Sequence, residues 1–415
     1  MEFLFVLTLL IESGVLMYLE YKAWKSIFTP MSFLLLPYLV VLIVSIAMSG
    51  KMGFVEFYYP SIFIWIVGLF FFAIPDFLLA GYAGKHGSTD LKSGIDDSPT
   101  GMPRVFVLIG IALLLLFSYR LFVTIRSSQY MIGSDQFAEE FAGFGFWGHL
   151  KRFCSVMLML FIYYLDKNRR WLWLLIVGLF LINIINMVKG TMIIPCVTGV
   201  MLRLASGKMK ITGAFVGWLI LSSVAVFFVT FLLAIVVVNK MEVNDKIIVW
   251  IFQRFVHYFS SGTLGLSVDM ELGFPDSGPF QVIWTPFINL INQISGNGEI
   301  LSPVNPIFHF TGISLTNVRT MFGTLFIYTN YLQFCLYTMG LSFICYSLKI
   351  LTVRLTNVYI NTVLYYLCAL LAMGWFEFYF FHLDIIEIPV MILILHVIDW
   401  VSRISVTDAR TVRTI

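Results

Sequence analysis

The sequence predicts an all-α polytopic membrane protein with about eleven membrane-spanning helices. Three observations carry that expectation. The 415 residues are 60% hydrophobic and only 12% charged, where soluble domains carry about 25% charged residues. Apolar stretches recur that approach or exceed the roughly 20 residues needed to cross a hydrocarbon core as helix. Basic residues cluster in alternate connections between those stretches, as membrane insertion requires.

The first stretch, Phe3 to Leu19, lacks a basic leader and a small-residue cleavage site, so it reads as a span rather than a cleavable signal. Ten further stretches occupy 30–49, 59–82, 104–126, 149–165, 171–188, 190–205, 211–238, 320–346, 357–375 and 384–401. The segment 149–165 is short, and 190–205 is both short and interrupted by Pro195. With eleven spans, six connections on one side hold sixteen of the 26 Lys and Arg residues, from Lys22 and Lys25 to Arg403, Arg410 and Arg413. The N-terminus is then expected outside and the C-terminus in the cytoplasm. Three regions follow: 1–238 as a transmembrane bundle of about eight spans, 239–318 as one large outer loop, and 319–415 as a closing bundle of about three spans with a short cytoplasmic tail.

A net charge of +3 without long basic runs gives no footprint for nucleic acid. The five cysteines, Cys154, Cys196, Cys335, Cys345 and Cys368, lie in apolar stretches without CxxC spacing, so they read as packing residues rather than zinc ligands or disulfides. The lipid bilayer is the expected solvent, with 41 Phe, 19 Tyr and 10 Trp to face it and to line its headgroup level.

The loop 239–318 opens with an amphipathic segment, Ile247 to Val268, in which Ile248, Ile251, Phe252, Phe255 and Phe259 recur at helical spacing. That pattern predicts a helix lying in the membrane interface. Gly273, Pro275, Gly278, Pro279, Pro286, Pro303 and Pro306 then predict a turn-rich, ordered remainder.

Ten basic residues fall in the half that topogenesis disfavours, and three constellations there carry chemistry. Lys189-Gly190 occupies a short outer turn between two spans, where an ammonium either neutralises a phosphate or snorkels to the headgroups. Arg254, His257 and Tyr258 are three and four residues apart and share a helix face, with planar donors suited to phosphate oxygens beside an imidazole. Asn317, Arg319 and Thr320 surround the start of a span, either as a polar binding edge or as a cap supplied by Asn317. Arg120, inside the fourth span near its outer end, is a fourth candidate cation. Asp269, Glu271 and His309 stand in the same loop as further acid–base candidates. The stretch Trp375 to Asp384 mixes aromatics with carboxylates, a composition that suits carbohydrate but also an interfacial aromatic belt. Outer acidic residues are scattered, so no metal site is expected.

The order of these pieces resembles the O-antigen polymerase family, the Wzy-type oligosaccharide repeat-unit polymerases. Asn317-Val-Arg-Thr320-Met-Phe-Gly323 is similar to the family's Asn-x-x-Thr-x-Phe-Gly stretch, although Thr329, Asn330 and Tyr331 stand where members commonly carry an acidic residue and glycines. Met187-Val-Lys189-Gly190-Thr191 and Arg254 through Gly262 resemble two further features. The resemblance implies a GT-C-like polymerase architecture in the bacterial inner membrane, with the active site facing the periplasm. It implies glycosyl transfer between undecaprenyl-diphosphate-linked oligosaccharides without a cofactor, in company with a chain-length regulator and the pathway's flippase. Arg254, Arg319 and His257 are then the catalytic candidates; Lys189, Arg120, Tyr258, Asn317 and Thr320 are the substrate-binding ones. An O-antigen ligase, a lipid-linked oligosaccharide flippase and a membrane scaffold are the rival readings.

Overall fold

The computed structural model describes residues 2–86, 101–130, 134–143, 145–185, 189–233, 244–273, 280–296, 301–302 and 305–411. These are overwhelmingly α-helical. In chain order the helices are α1 (Glu2–Trp24), α2 (Pro30–Met48), α3 (Ile62–His86), α4 (Arg104–Ser127), α5 (Asp135–Ala142), α6 (Gly145–Tyr164), α7 (Leu172–Ile185), α8 (Lys189–Ala205) and α9 (Gly213–Leu233). Then come α10 (Asp245–Leu272), α11 (Thr285–Ser295), a two-stranded hairpin of β1 (His309–Phe310) and β2 (Leu315–Thr316), and α12 (Met321–Tyr328), α13 (Tyr331–Leu355), α14 (Val358–Ala372) and α15 (Asp384–Thr411).

Among the described residues, six helices are long and apolar enough to span a membrane: α1, α2, α3 together with the turn before it, α4, α13 and the first 20 residues of α15. Large apolar side chains such as Leu78, Leu108 and Leu115 stand 67–69% exposed on them. Water would not tolerate that many contiguous apolar faces, whereas lipid does. The chain is thus an α-helical membrane protein. The expected spans 171–188, 190–205 and 357–375 coincide with shorter apolar helices, α7, Met192–Ala205 of α8, and α14.

One expected span is two helices. The stretch 320–346 breaks after Tyr328, where Thr329 Oγ1 bonds back to Leu325 O at 2.5 Å. Asn330 and Gln333 then cap α13 reciprocally: Gln333 N donates to Asn330 Oδ1 (2.9 Å) and Asn330 N to Gln333 Oε1 (3.0 Å). This is a capping box, with both otherwise orphaned donors satisfied by side chains. The other long helix of this region, α10, starts at Asn244, whose Oδ1 accepts from Ile247 N at 3.0 Å. It ends at Gly273, whose left-handed φ of 87° lets its N–H bond back to the last turn.

The fold divides into two compact units, each discontinuous in sequence. The first comprises 1–91, 209–346 and 370–381. Its centre is aromatic: Tyr38 stacks on Trp65 with centroids 3.4 Å apart, and Trp65 meets Phe322 edge-on at 4.8 Å. Near the C-terminal end of α1, Trp24 Nε1 donates to Asp76 Oδ1 of α3 at 2.5 Å, and Tyr346 of α13 donates its hydroxyl proton to Glu20. Burial of two carboxylates inside spans is tolerated because each accepts such bonds.

The second unit comprises 92–208, 347–369 and 382–415. There α6 packs against both α7 and α8. Ser155 of α6 donates to Asn183 Oδ1 of α7 at 3.0 Å within the apolar contact. Arg203 donates to the carbonyls of Ile162 and Leu165, closing the C-terminal end of α6.

The tight approach of Phe322 to α3 depends on Gly68, where an added Cβ would lie 2.5 Å from the Phe322 ring. Overpacking of this kind costs about 1–3 kcal/mol. Gly68→Ala should therefore lower the thermal midpoint in detergent. Gly340→Ala, at a site with open space around it, should leave it unchanged or raise it, since alanine is the better helix former.

Candidate functional site

The candidate site lies in the first unit, where α10, the β-hairpin and the start of α12 meet. The hairpin pairs His309 with Thr316 and Phe310 with Leu315. Its turn requires Gly312, whose φ is 89° and whose missing Cβ would sit 2.0 Å from Gly53 O. That close approach seats the hairpin on the connection after α2, where Val55 N also donates to Thr311 O at 3.2 Å. The same connection is held to α10 by Gln253 Nε2 to Met52 O (2.9 Å) and Tyr58 N to Ser267 Oγ (2.6 Å).

The interfacial helix expected over 247–268 is only half exposed. Ile248, Val249, Trp250 and Phe252 face outward, but from Ser260 to Ser267 every side chain is buried, as is Asp269. Small residues explain the change. A Cβ on Gly262 would meet Trp375 O at 2.5 Å, and one on Gly265 would meet Val318 O at 2.6 Å. Phe259 stacks on Trp375 (centroids 5.5 Å, 4° between planes).

At the base of this contact Arg319 and Asp269 are both fully buried. The guanidinium engages the carboxylate through Nε and through Nη2 (3.1 Å to Oδ1), while Nη1 donates to Val318 O at 2.9 Å. His309 Nε2 lies 2.6 Å from Asp269 Oδ1. Of the acid–base residues named from the sequence, Asp269 and His309 are thus brought to Arg319, and its charge is compensated within the fold.

Arg254 is placed differently. It is half-buried, with Nη1 donating to Ser314 Oγ at 2.5 Å and its Cζ 5.1 Å from the Trp250 ring. Its buried Nε has no hydrogen-bond partner, and no carboxylate pairs with it among the described residues. One turn on, His257 Nδ1 lies 3.2 Å from Thr311 Oγ1. The Thr311 hydroxyl proton is directed to Ser314 O at 2.9 Å, so the hydroxyl accepts from the imidazole. Nδ1 then carries the proton and Nε2 is the basic atom. Burial raises the pKa of the Tyr258 phenol, and the Arg254 charge opposes that rise.

Thr320, Asn317 and Arg120 have structural employment. Thr320, rather than Asn317, caps α12: its Oγ1 accepts from Gly323 N (3.2 Å) and also from Trp65 Nε1 (2.9 Å). Asn317 Nδ2 instead donates to Asn305 O at 3.1 Å, bracing the preceding loop. Arg120 belongs to the second unit, where it donates to Glu140 O (2.6 Å) and Phe141 O (3.2 Å) at the C-terminal end of α5. That end carries partial negative charge, so a cation is at home there. Lys189 also belongs to the second unit and its backbone opens α8, but its side chain, like Met187 and Val188, lies outside the described residues.

A second polar cluster escaped the sequence reading. In the second unit Arg152 pairs with Asp384 and with Glu387 Oε2 (3.0 Å), and His149 Nδ1 lies 2.8 Å from Glu387 Oε1. No signal links residues more than 230 positions apart; the i, i+3 spacing of the two acids at a helix start was the available hint. Among the described residues no three His, Cys, Asp or Glu side chains converge as metal ligands.

Breaking one side of a buried ion pair costs about 3–5 kcal/mol, because the remaining charge is left uncompensated. Arg319→Ala and Asp269→Ala should each sharply lower membrane abundance and thermal stability, measured by immunoblot and by unfolding in detergent. A milder effect is expected at Glu377, whose carboxyl burial pushes up to about 7 from 4.5. Its protonated form is favoured by folding, so this contribution is complete below about pH 4.5 and lost as pH rises through 7. Glu377→Gln should flatten that part of the stability–pH curve.

Comparison with known proteins gives one assignment. No curated protein and no solved structure matches the chain. Residues 53–406 match the family of unknown function DUF6337, and that span covers every element of the candidate site. The chain therefore belongs to the DUF6337 family.

Proposed function

We propose that this protein polymerises polyprenyl-diphosphate-linked oligosaccharide repeat units by glycosyl transfer at the periplasmic face of a bacterial inner membrane, using about eleven spans with the N-terminus outside. The observation that carries the reading is the state of Arg254. It is a half-buried guanidinium without a paired carboxylate among the described residues, carrying one unused buried donor and standing one turn from an imidazole. An unpaired cation in such a place is stabilised by an anion from outside the chain, and a planar fork suits phosphate oxygens.

The reaction needs little more. An acceptor sugar hydroxyl attacks the anomeric carbon of the donor; the new C–O bond forms as the bond to the diphosphate oxygen breaks. The diphosphate leaves with that electron pair, and Arg254 stabilises the charge that grows on it. Diphosphate is a weak base, so no strong acid is needed at the leaving group. The hydroxyl proton passes to His257 Nε2, the atom that the Thr311 contact leaves basic. Tyr258, on the same face of α10, lines the substrate. Arg319 acts at one remove, by holding α10 and the hairpin together through Asp269.

The test uses purified protein with a lipid-diphosphate-linked oligosaccharide and no added nucleotide. A ladder of lengthened products is the expected result. Arg254→Ala should reduce ladder formation by at least about 100-fold, the scale on which a lost charge-stabilising donor is felt, while membrane abundance stays unchanged. Arg254→Lys should retain part of the activity. Protein that moves the lipid across vesicles without lengthening it is a flippase, and the proposal then fails.

A further inference from the structure

The helix α11, with the Trp284 that precedes it, carries an apolar stripe that stays largely exposed among the described residues. Trp284, Phe287, Ile291 and Ile294 follow at intervals of three and four residues and are 40%, 43%, 63% and 78% exposed. At 100° per residue they lie within one stripe, with Gln293 on the opposite side. The inner side is secured separately: Asn289 bonds reciprocally with the backbone of Leu301 (2.8 and 2.9 Å), and Thr285 and Pro286 are buried. Phe280 to Gly296 contains no charged residue at all.

We infer that α11 is an interfacial foot, lying in the headgroup–acyl boundary of the leaflet next to the N-terminal end of α13. Two observations commit the face to lipid rather than to a protein partner. Trp284 contacts Tyr337 of α13, ring centroids 5.7 Å apart. Tyr337 is six residues inside the span that starts at Tyr331, which at 1.5 Å per residue is about 9 Å along the helix. Interfacial helices sink their apolar faces about 5–10 Å, so the contact sets α11 at the right depth. The N-terminal end of α13 also carries apolar side chains suited to lipid, since Tyr331, Leu332 and Leu336 are 77%, 68% and 59% exposed. With no basic residues on its polar side, the foot binds through buried apolar area and not through anionic lipid. It pins the segment between α10 and the hairpin to the membrane surface, independently of any sugar chemistry.

The test is photocrosslinking of the full chain in lipid nanodiscs of zwitterionic phospholipid, with benzoylphenylalanine placed singly at Ile291, Ile294, Gln293 and, as the measure of a lipid-exposed site, Leu332. Mass spectrometry should find phospholipid adducts at 291 and 294 comparable to those at 332 and severalfold above those at 293, insensitive to salt. Adducts at 291 and 294 no more frequent than at 293 would overturn the inference. So would adducts at those positions that join two copies of the chain. Neither outcome bears on whether the protein extends oligosaccharides, which the ladder assay reads separately.

Discussion

Everything around the candidate site hangs on one buried charge pair. Asp269 sits near the end of α10, and Arg319 stands just before α12 begins, fifty residues later. Neither charge is exposed to solvent, so each depends on the other for its solvation. A buried ion pair of this sort is poor evidence for net stability, because a well-packed apolar pair would do as well. What it does supply is register. Only one placement of α10 against the start of α12 pairs both charges, and that placement also brings His309 of the hairpin to the same carboxylate. Gly265 completes the constraint, since a larger residue would separate the helix from Val318 O and from the guanidinium itself.

That arrangement separates two arginines that look alike in sequence. Arg319 spends its donors on Asp269 and Val318 O, whereas Arg254 keeps one buried donor unspent and, among the described residues, meets a hydroxyl and an indole face but no carboxylate. In a medium of low dielectric the difference matters greatly. A compensated cation is part of the scaffold, and an uncompensated one is a standing attraction for an anion. The hairpin is what makes Arg254 and His257 a unit, through Ser314 and Thr311 respectively, and Gly312 makes the hairpin possible by allowing it to touch Gly53.

The six long apolar helices were legible in the sequence because an apolar run of about 20 residues needs no tertiary information to be recognised. The break between α12 and α13 was legible too, as Asn330-x-x-Gln333, but a hydropathy reading passes over a capping box set between two apolar runs. For the site, the sequence supplied the residues without their partners. Arg254, His257 and Tyr258 share a helix face and so declared themselves by spacing, whereas the Asp269–Arg319 and Arg152–Asp384 pairs join positions that no local pattern connects. Thr320 shows the opposite failure. Its position beside an arginine at a span boundary looked like chemistry, yet its hydroxyl is spent on a helix cap and on Trp65.

Amphipathic spacing is the least decisive of these signals, and α10 and α11 show why. Both carry apolar residues at helical intervals, but such a stripe records only that one face avoids water, not what covers it. In α10 small residues follow the stripe: Ser260, Ser261, Gly262, Thr263 and Gly265 admit Trp375 and Val318 to within contact of the backbone, so protein covers the second half. Bulky residues continue to the end of α11, where Ile291 and Ile294 leave no room for a close neighbour and remain outside. Side-chain size along the stripe, rather than its periodicity, thus separates a helix bound for the protein interior from one bound for lipid.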